Sequence, residues 1–256
     1  MTVAPGLRGF CSGDGTQGTA GISVVLGASC SKDSRFQEAE GLTFTGEAVT
    51  EPTSLSGPIN VHLETVLDAT DGFWAATVND VAPDGTSTPI TNGALTASLR
   101  AVDDSKSTRS ANGDYSEPHH YLTIDTRQPV VPGEVTAVDI NMLPTDAVLQ
   151  PGHRLRVDVY AASVPRYLAL GPMLADSQLK PQHIELAADR PSFVNVPFVG
   201  VADPDWIGGV RTCGLADVLR RSSDDRIPTL RRRPRSSGRT SGSGGRAARG
   251  PVPGKP

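Results

Sequence analysis

Only 5% of the 256 residues are aromatic, and there are 3 cysteines and 3 methionines. Each scarcity excludes something. No run of 18 apolar residues exists, so the sequence offers no membrane-spanning helix. The N-terminus lacks a basic stretch followed by an apolar core, so no signal peptide is visible. Cys11, Cys30 and Cys213 form no C-x-x-C pair, and no second cluster of Cys and His stands at metal-ligating spacing. The chain has no G-x-S-x-G elbow, no H-E-x-x-H and no G-x-x-x-x-G-K-[ST]. The usual signatures of α/β-hydrolase, zincin and P-loop chemistry are therefore missing. Long helices are excluded by breakers, since 27 glycines and 21 prolines are spread along the chain.

Charge divides the chain in two. Residues 1–210 carry 12 Lys and Arg against 25 Asp and Glu, and residues 211–256 carry 12 against 3. The Arg, Ser, Gly and Pro of residues 201–256 cannot build a core, and this basic tail is expected to be disordered. Its Arg-rich run, residues 220–256, has no interleaved aromatics on which bases could stack, so a nucleic-acid partner is not expected.

What is present is period two. "GLTFTGEAV" puts Leu42 and Phe44 on one side of an extended chain, and "INVHLETVL" alternates Ile59, Val61, Leu63 and Thr65 against Asn60, His62, Glu64 and Val66. "EVTAVDINML" lines up Thr136, Val138, Ile140 and Met142. "RLRVDVYA" sets Leu155, Val157 and Val159 against Arg154, Arg156 and Asp158. Turn chemistry stands at Pro83-Asp84-Gly85 and Asn92-Gly93, each expected to reverse the chain. About nine strands are expected between residues 41 and 199, with one short turn of helix around Met173–Leu179. Short strands with turn signals and no crossover helices mean an antiparallel all-β sandwich. The polar stretch "DDSKSTRSANGDYSEPHHY" is either the crossing from one sheet to the other or a mobile surface loop. Residues 1–40 are rich in Gly, Ser and Thr and read as a connector. In an oxidising compartment Cys11 and Cys30 would close a loop worth about 3 kcal/mol; in the cytosol they remain thiols. The staple is favoured, because the segment has no core of its own.

The histidines are the only candidates for chemistry. His62 and His183 read as residues of solvated strand faces. His119 and His120 read as surface loop residues, with only Asp114 and Glu117 nearby as acids. His153 follows the Pro151-Gly152 turn, and its expected role is to donate to the turn backbone. No Ser or Cys has the context of a nucleophile.

Three phrases in order resemble one family. They are "GLTFTGEAVTEPTSLSGPINVHL", "VNDVAPDGTSTPITNGALTASLR" and "QPVVPGEVTAVDINMLPTDAVLQPGHRLRVDV". Together they resemble the C-terminal part of the CocE/NonD hydrolases, the X-Pro dipeptidyl-peptidase and cocaine-esterase-like family. The resemblance implies a jelly-roll β-sandwich, galactose-binding-like, over residues 41–200. It also implies a partner: an α/β-hydrolase domain carrying a Ser-His-Asp triad, placed upstream. No residue here matches that triad, so no catalytic residue is carried over, and the chain is expected to be inactive alone. No cofactor or metal is implied. The parent hydrolase would be a dipeptidyl-peptidase or an esterase, and the segment around Cys30 is similar to exported members. The chain as written, with no visible signal, would stay cytoplasmic. Isolated from its catalytic domain, it is expected to expose an apolar patch and self-associate. The alternative is a free-standing carbohydrate- or ligand-binding module, for which Phe73, Trp74 and Tyr121 are the aromatic candidates.

Overall fold

The computed structural model describes residues 1–11, 33–167, 171–199 and 219–221. Cys30, and with it the Cys11–Cys30 pairing, lies outside the described residues. So does the tail, except Leu219–Arg221.

Strands form where the sequence alternates. The first sheet is built on β4 (Asn60–Leu67). One edge of β4 pairs along its length with β9 (Val135–Asn141). Its other edge is shared: β13 (Phe193–Val196) takes one end and β12 (Gln182–Ile184) the other. At the N-terminus β1 (Thr2–Val3) adds to β12, and Leu219–Arg221, β15, adds in parallel to β13. The second sheet runs in the order β2 (Leu42–Ala48), β11 (Arg154–Tyr160), β5 (Phe73–Val81), β6 (Ser87–Thr96), all antiparallel. A third, small sheet joins β10 (Thr145–Leu149), β3 (Thr53–Gly57) and β14 (Phe198–Val199).

The apolar positions of the alternation meet in one core. Val61, Leu63 and Leu67 come from β4, Val138 and Ile140 from β9, Leu155, Val157 and Val159 from β11, and Trp74, Ala76 and Val78 from β5. Each large aliphatic side chain so buried contributes about 1.5–3 kcal/mol. The molecule is thus an all-β sandwich, as its alternation predicts. The expected short helical turn is α2 (Gly171–Ser177). A second short helix, α1 (Arg35–Glu38), has no counterpart in the sequence pattern.

One expected turn is absent. Asn92-Gly93 lies inside β6, which runs unbroken past it. Glycine is there for a close approach: a Cβ on Gly93 would stand 2.5 Å from the Asn141 carbonyl oxygen. The neighbours tie β6 to the chain after β9, Thr91 Oγ1 donating to the Leu143 carbonyl and Leu143 N–H to that of Asn92. Pro83-Asp84-Gly85, by contrast, is a turn, with Gly85 at a φ of 86°.

Candidate functional site

The alternation predicts that the second face of each strand is wet. Thr43, Thr45 and Glu47 of β2 and Ala137 of β9 are indeed exposed, but the middle of each outer face is covered. On the outside of the first sheet, Asn60, His62 and Glu64 of β4 lie beside Asp139 of β9. His62 Nδ1 is 2.9 Å from Asp139 Oδ1 and its Nε2 is 3.6 Å from Glu64 Oε1, and the ring stacks on Phe193 at 4.6 Å. The polar stretch between residues 103 and 121 makes the cover. It forms a hairpin of β7 (Thr108–Arg109) and β8 (Tyr115–Glu117). The Tyr115 carbonyl accepts from the amides of both Asn60 and Asn195. The stretch is thus tied to the sheet through Tyr115, while Asp104, Ser105 and Lys106 are exposed. Burial alone would pull His62 down, but the Asp139 carboxylate, with help from Glu64, outweighs it and holds the imidazole above its ordinary pKa.

On the outside of the second sheet, Arg156, Asp158 and Tyr160 of β11 stand beside Thr77 and Asn79 of β5. The cover here is α1 and the chain at Ser163. Arg156 Nη1 donates to Glu38 Oε2, and Gln37 Nε2 donates to Ser163 Oγ at 3.3 Å. Asp158 is completely buried, where a solvated face was expected. That burial, and after it the nearby Glu38 carboxylate, push the Asp158 carboxyl well above the usual carboxylate range.

The remaining histidines are placed separately. His153 does not donate to the turn backbone. Its main-chain N–H does that, to the Gln150 carbonyl, while the ring Nδ1 lies 2.7 Å from Asp80 Oδ1 across the strands. His183 sits between Thr2 Oγ1 and Asp68. His120 reaches the Asp139 carbonyl, and the neighbouring His119 is exposed. Among the described residues, no group of three or more His, Cys, Asp and Glu side chains gathers as metal ligands do.

A different feature follows His120. Tyr121, Leu122 and Ile124 are exposed, Ile124 by 90%. Their loop is anchored on both sides. The Tyr121 N–H donates to the Ala101 carbonyl and the Gln128 N–H to that of Ser98. Arg127 joins Asp71, which is buried, to Asp176. Leu122 holds a φ of 52°, a conformation that costs a non-glycine residue roughly 1–2 kcal/mol. Three apolar side chains are therefore presented to solvent from a fixed base. Of the aromatic candidates for a glycan platform, Trp74 is in the core, Phe73 is half-buried beside Tyr167, and only Tyr121 is exposed. Among the described residues no helix is long and apolar enough to cross a membrane.

The family model described as "X-Pro dipeptidyl-peptidase C-terminal non-catalytic domain" matches residues 14–195. A Mycobacterium bovis protein named "Putative serine esterase Mb1866c" is 30% identical over 148 residues, 57% of this chain and 23% of its own length. The cocaine esterase of a Rhodococcus species is 25% identical over 166 residues, covering 62% of this chain and 25% of that protein. The chain thus spans about a quarter of the curated relatives it matches. A CocE/NonD family hydrolase of Staphylococcus aureus shares the fold, with a TM-score of 0.51 at 18% identity over 63% of this chain and 31% of that one.

Proposed function

We propose a packing role for this chain, which belongs to the X-Pro dipeptidyl-peptidase C-terminal non-catalytic domain family. In this reading it is the C-terminal β-sandwich of a CocE/NonD-type serine hydrolase, docked on an α/β-hydrolase domain that carries the triad. It supports that domain and helps wall the substrate entrance; the parent reaction is hydrolysis of an ester or of an X-Pro peptide bond. The observation that carries the reading is the family match, over a chain that spans only a quarter of its relatives. The anchored, exposed Tyr121–Ile124 loop supports it as the docking surface, because apolar side chains on a rigid base lose little entropy on binding. An exported parent is part of the proposal, and is the setting in which Cys11 and Cys30 would pair.

Two measurements test it. The purified chain should hydrolyse neither p-nitrophenyl esters nor Ala-Pro substrates, and turnover would overturn the non-catalytic reading. In sedimentation the chain alone should self-associate, and Tyr121→Ser combined with Ile124→Ser should return it to monomer with its melting temperature kept. Self-association unchanged in that variant would remove the loop as the sticky surface.

A further inference from the structure

Two Asn-Gly pairs stand in the sequence, and the fold gives them opposite settings. Glycine after asparagine leaves the next main-chain nitrogen without a side chain to shield it, so such an asparagine is heat-labile. Asn92 is buried in β6 and clamped there. Gly93 pairs with Ala76, a Cβ on it would stand 2.5 Å from the Asn141 carbonyl oxygen, and the Tyr167 hydroxyl donates to Asn92 Oδ1 at 2.7 Å. With the backbone held on both sides, the Gly93 nitrogen cannot swing onto the Asn92 side chain. Asn112 and Gly113 are exposed, in the turn between β7 and β8. Gly113 has a φ of 90°, and apart from its chain neighbours no atom lies within 4 Å of where its Cβ would be.

The turn also aims donors at the atom that matters. Asn112 Oδ1 accepts from the Ser110 hydroxyl, which it shares with the Asp114 carbonyl, and from the Asp114 N–H at 3.3 Å. Both donors face the oxygen that takes up negative charge when the amide carbon is attacked, the arrangement that stabilises a tetrahedral intermediate. One bond opposes the attack: the Gly113 N–H donates to the Ser110 carbonyl at 2.9 Å. A single bond at an exposed turn opens far more readily than the ladder that holds Gly93.

We propose that Asn112 is a self-modification site, converting without an enzyme to aspartate and isoaspartate. The Gly113 nitrogen gives its proton to water and bonds to Asn112 Cγ; the Cγ–Nδ2 bond breaks, and Nδ2 takes up a proton and leaves as ammonia. Water then opens the cyclic imide. Cleavage of the new bond to Cγ gives aspartate, and cleavage of the bond from the Asn112 main-chain carbonyl carbon to the Gly113 nitrogen gives isoaspartate. Either product removes the bond that Asn112 Nδ2 now donates to Asp114 Oδ2 at 2.8 Å and sets a new negative charge there instead. The hairpin carries Tyr115, whose carbonyl holds Asn60 and Asn195. The modification therefore loosens the cover of the first sheet.

The test ages the full chain at mildly alkaline pH and body temperature. Its peptides are mapped by mass spectrometry against an unaged sample, and an isoaspartyl methyltransferase labels the isoaspartate. Asn112 should convert about tenfold faster than Asn92 or more, both read in the same sample, and Ser110→Ala should slow it severalfold. No conversion at Asn112, or equal conversion at the two asparagines, overturns the site, a result independent of how any variant folds. Conversion of Ser110→Ala at the wild-type rate overturns the part given to the Ser110 hydroxyl. Asn112→Asp carries the product charge from the start and should raise hydrogen exchange at Tyr115–Glu117; unchanged exchange there overturns the loosening of the cover.

Discussion

The two outer faces of the sandwich carry the same inventory in different surroundings. Each holds two carboxylates and one base: Asp139, Glu64 and His62 on the first sheet, Asp158, Glu38 and Arg156 on the second. The first group keeps some water, with side-chain exposures between 13 and 17%. The carboxylates of the second are drier, with Asp158 at 0% and Glu38 at 6%. Its base is an arginine, which stays charged at any accessible pH. The first face is therefore tuned by a proton on its base, and the second pairs a permanent cation with a carboxyl, Asp158, that burial holds toward its protonated form. A long cover of two short strands serves the first face, and a single turn of helix serves the second.

The largest effect expected from that contrast comes from Arg156→Met. It leaves Glu38 buried without its cation beside Asp158, and removing one partner of a buried pair costs about 3–5 kcal/mol. Urea unfolding should show a loss near the lower end, since Arg156 is 20% exposed. A loss under about 1 kcal/mol would mean that the second face is as well hydrated as the first.

Arg127→Ala comes next and attacks the anchor of the exposed loop. Asp71 would lose the guanidinium but keep Ser98 Oγ and the main-chain N–H groups of Gly72 and Ser98. Because those donors remain, the expected loss is about 1–2 kcal/mol, the scale of one hydrogen bond to a charged group. Hydrogen exchange should rise at Tyr121–Gln128 and not at β4. A spread of exchange through β4 would show that the loop and the sheet open as one unit.

The inner faces were legible in the sequence, and the outer ones were not. Alternation assigns Leu155, Val157 and Val159 to the core correctly, because burial on that face is set by side chains four to six residues long in one strand. The same alternation called Arg156 and Asp158 wet. Their cover comes from α1, over a hundred residues away, and a local pattern carries no signal for it. Asn92-Gly93 misled for a related reason: turn chemistry and close backbone approach both select glycine, and only the position of Asn141 distinguishes them. The acid partner of His153, Asp80, sits on another strand, out of reach of a local pattern. The exposed loop could have been suspected from "YLTI" inside a polar stretch, a short apolar run with no alternation to bury it. The family resemblance, resting on three long phrases, was the strongest signal of all.

The smallest effect separates the two faces by pH. His62 is held above its ordinary pKa by Asp139 and Glu64 against the pull of burial. A base raised on folding binds its proton more tightly in the native chain than in the unfolded one. Its contribution is therefore complete below the unfolded value, about 6.5, and is lost as pH climbs through the higher folded value. Stability should fall over that window by on the order of 1 kcal/mol, the scale of a partly exposed ion pair. His62→Gln keeps a polar side chain against Phe193 but cannot titrate, so its stability should be flatter across the same window. Urea midpoints from pH 6 to 9 for the two chains give the answer directly. Equal slopes would mean that folding leaves the His62 pKa unchanged, with the attraction of Asp139 and Glu64 cancelled by burial.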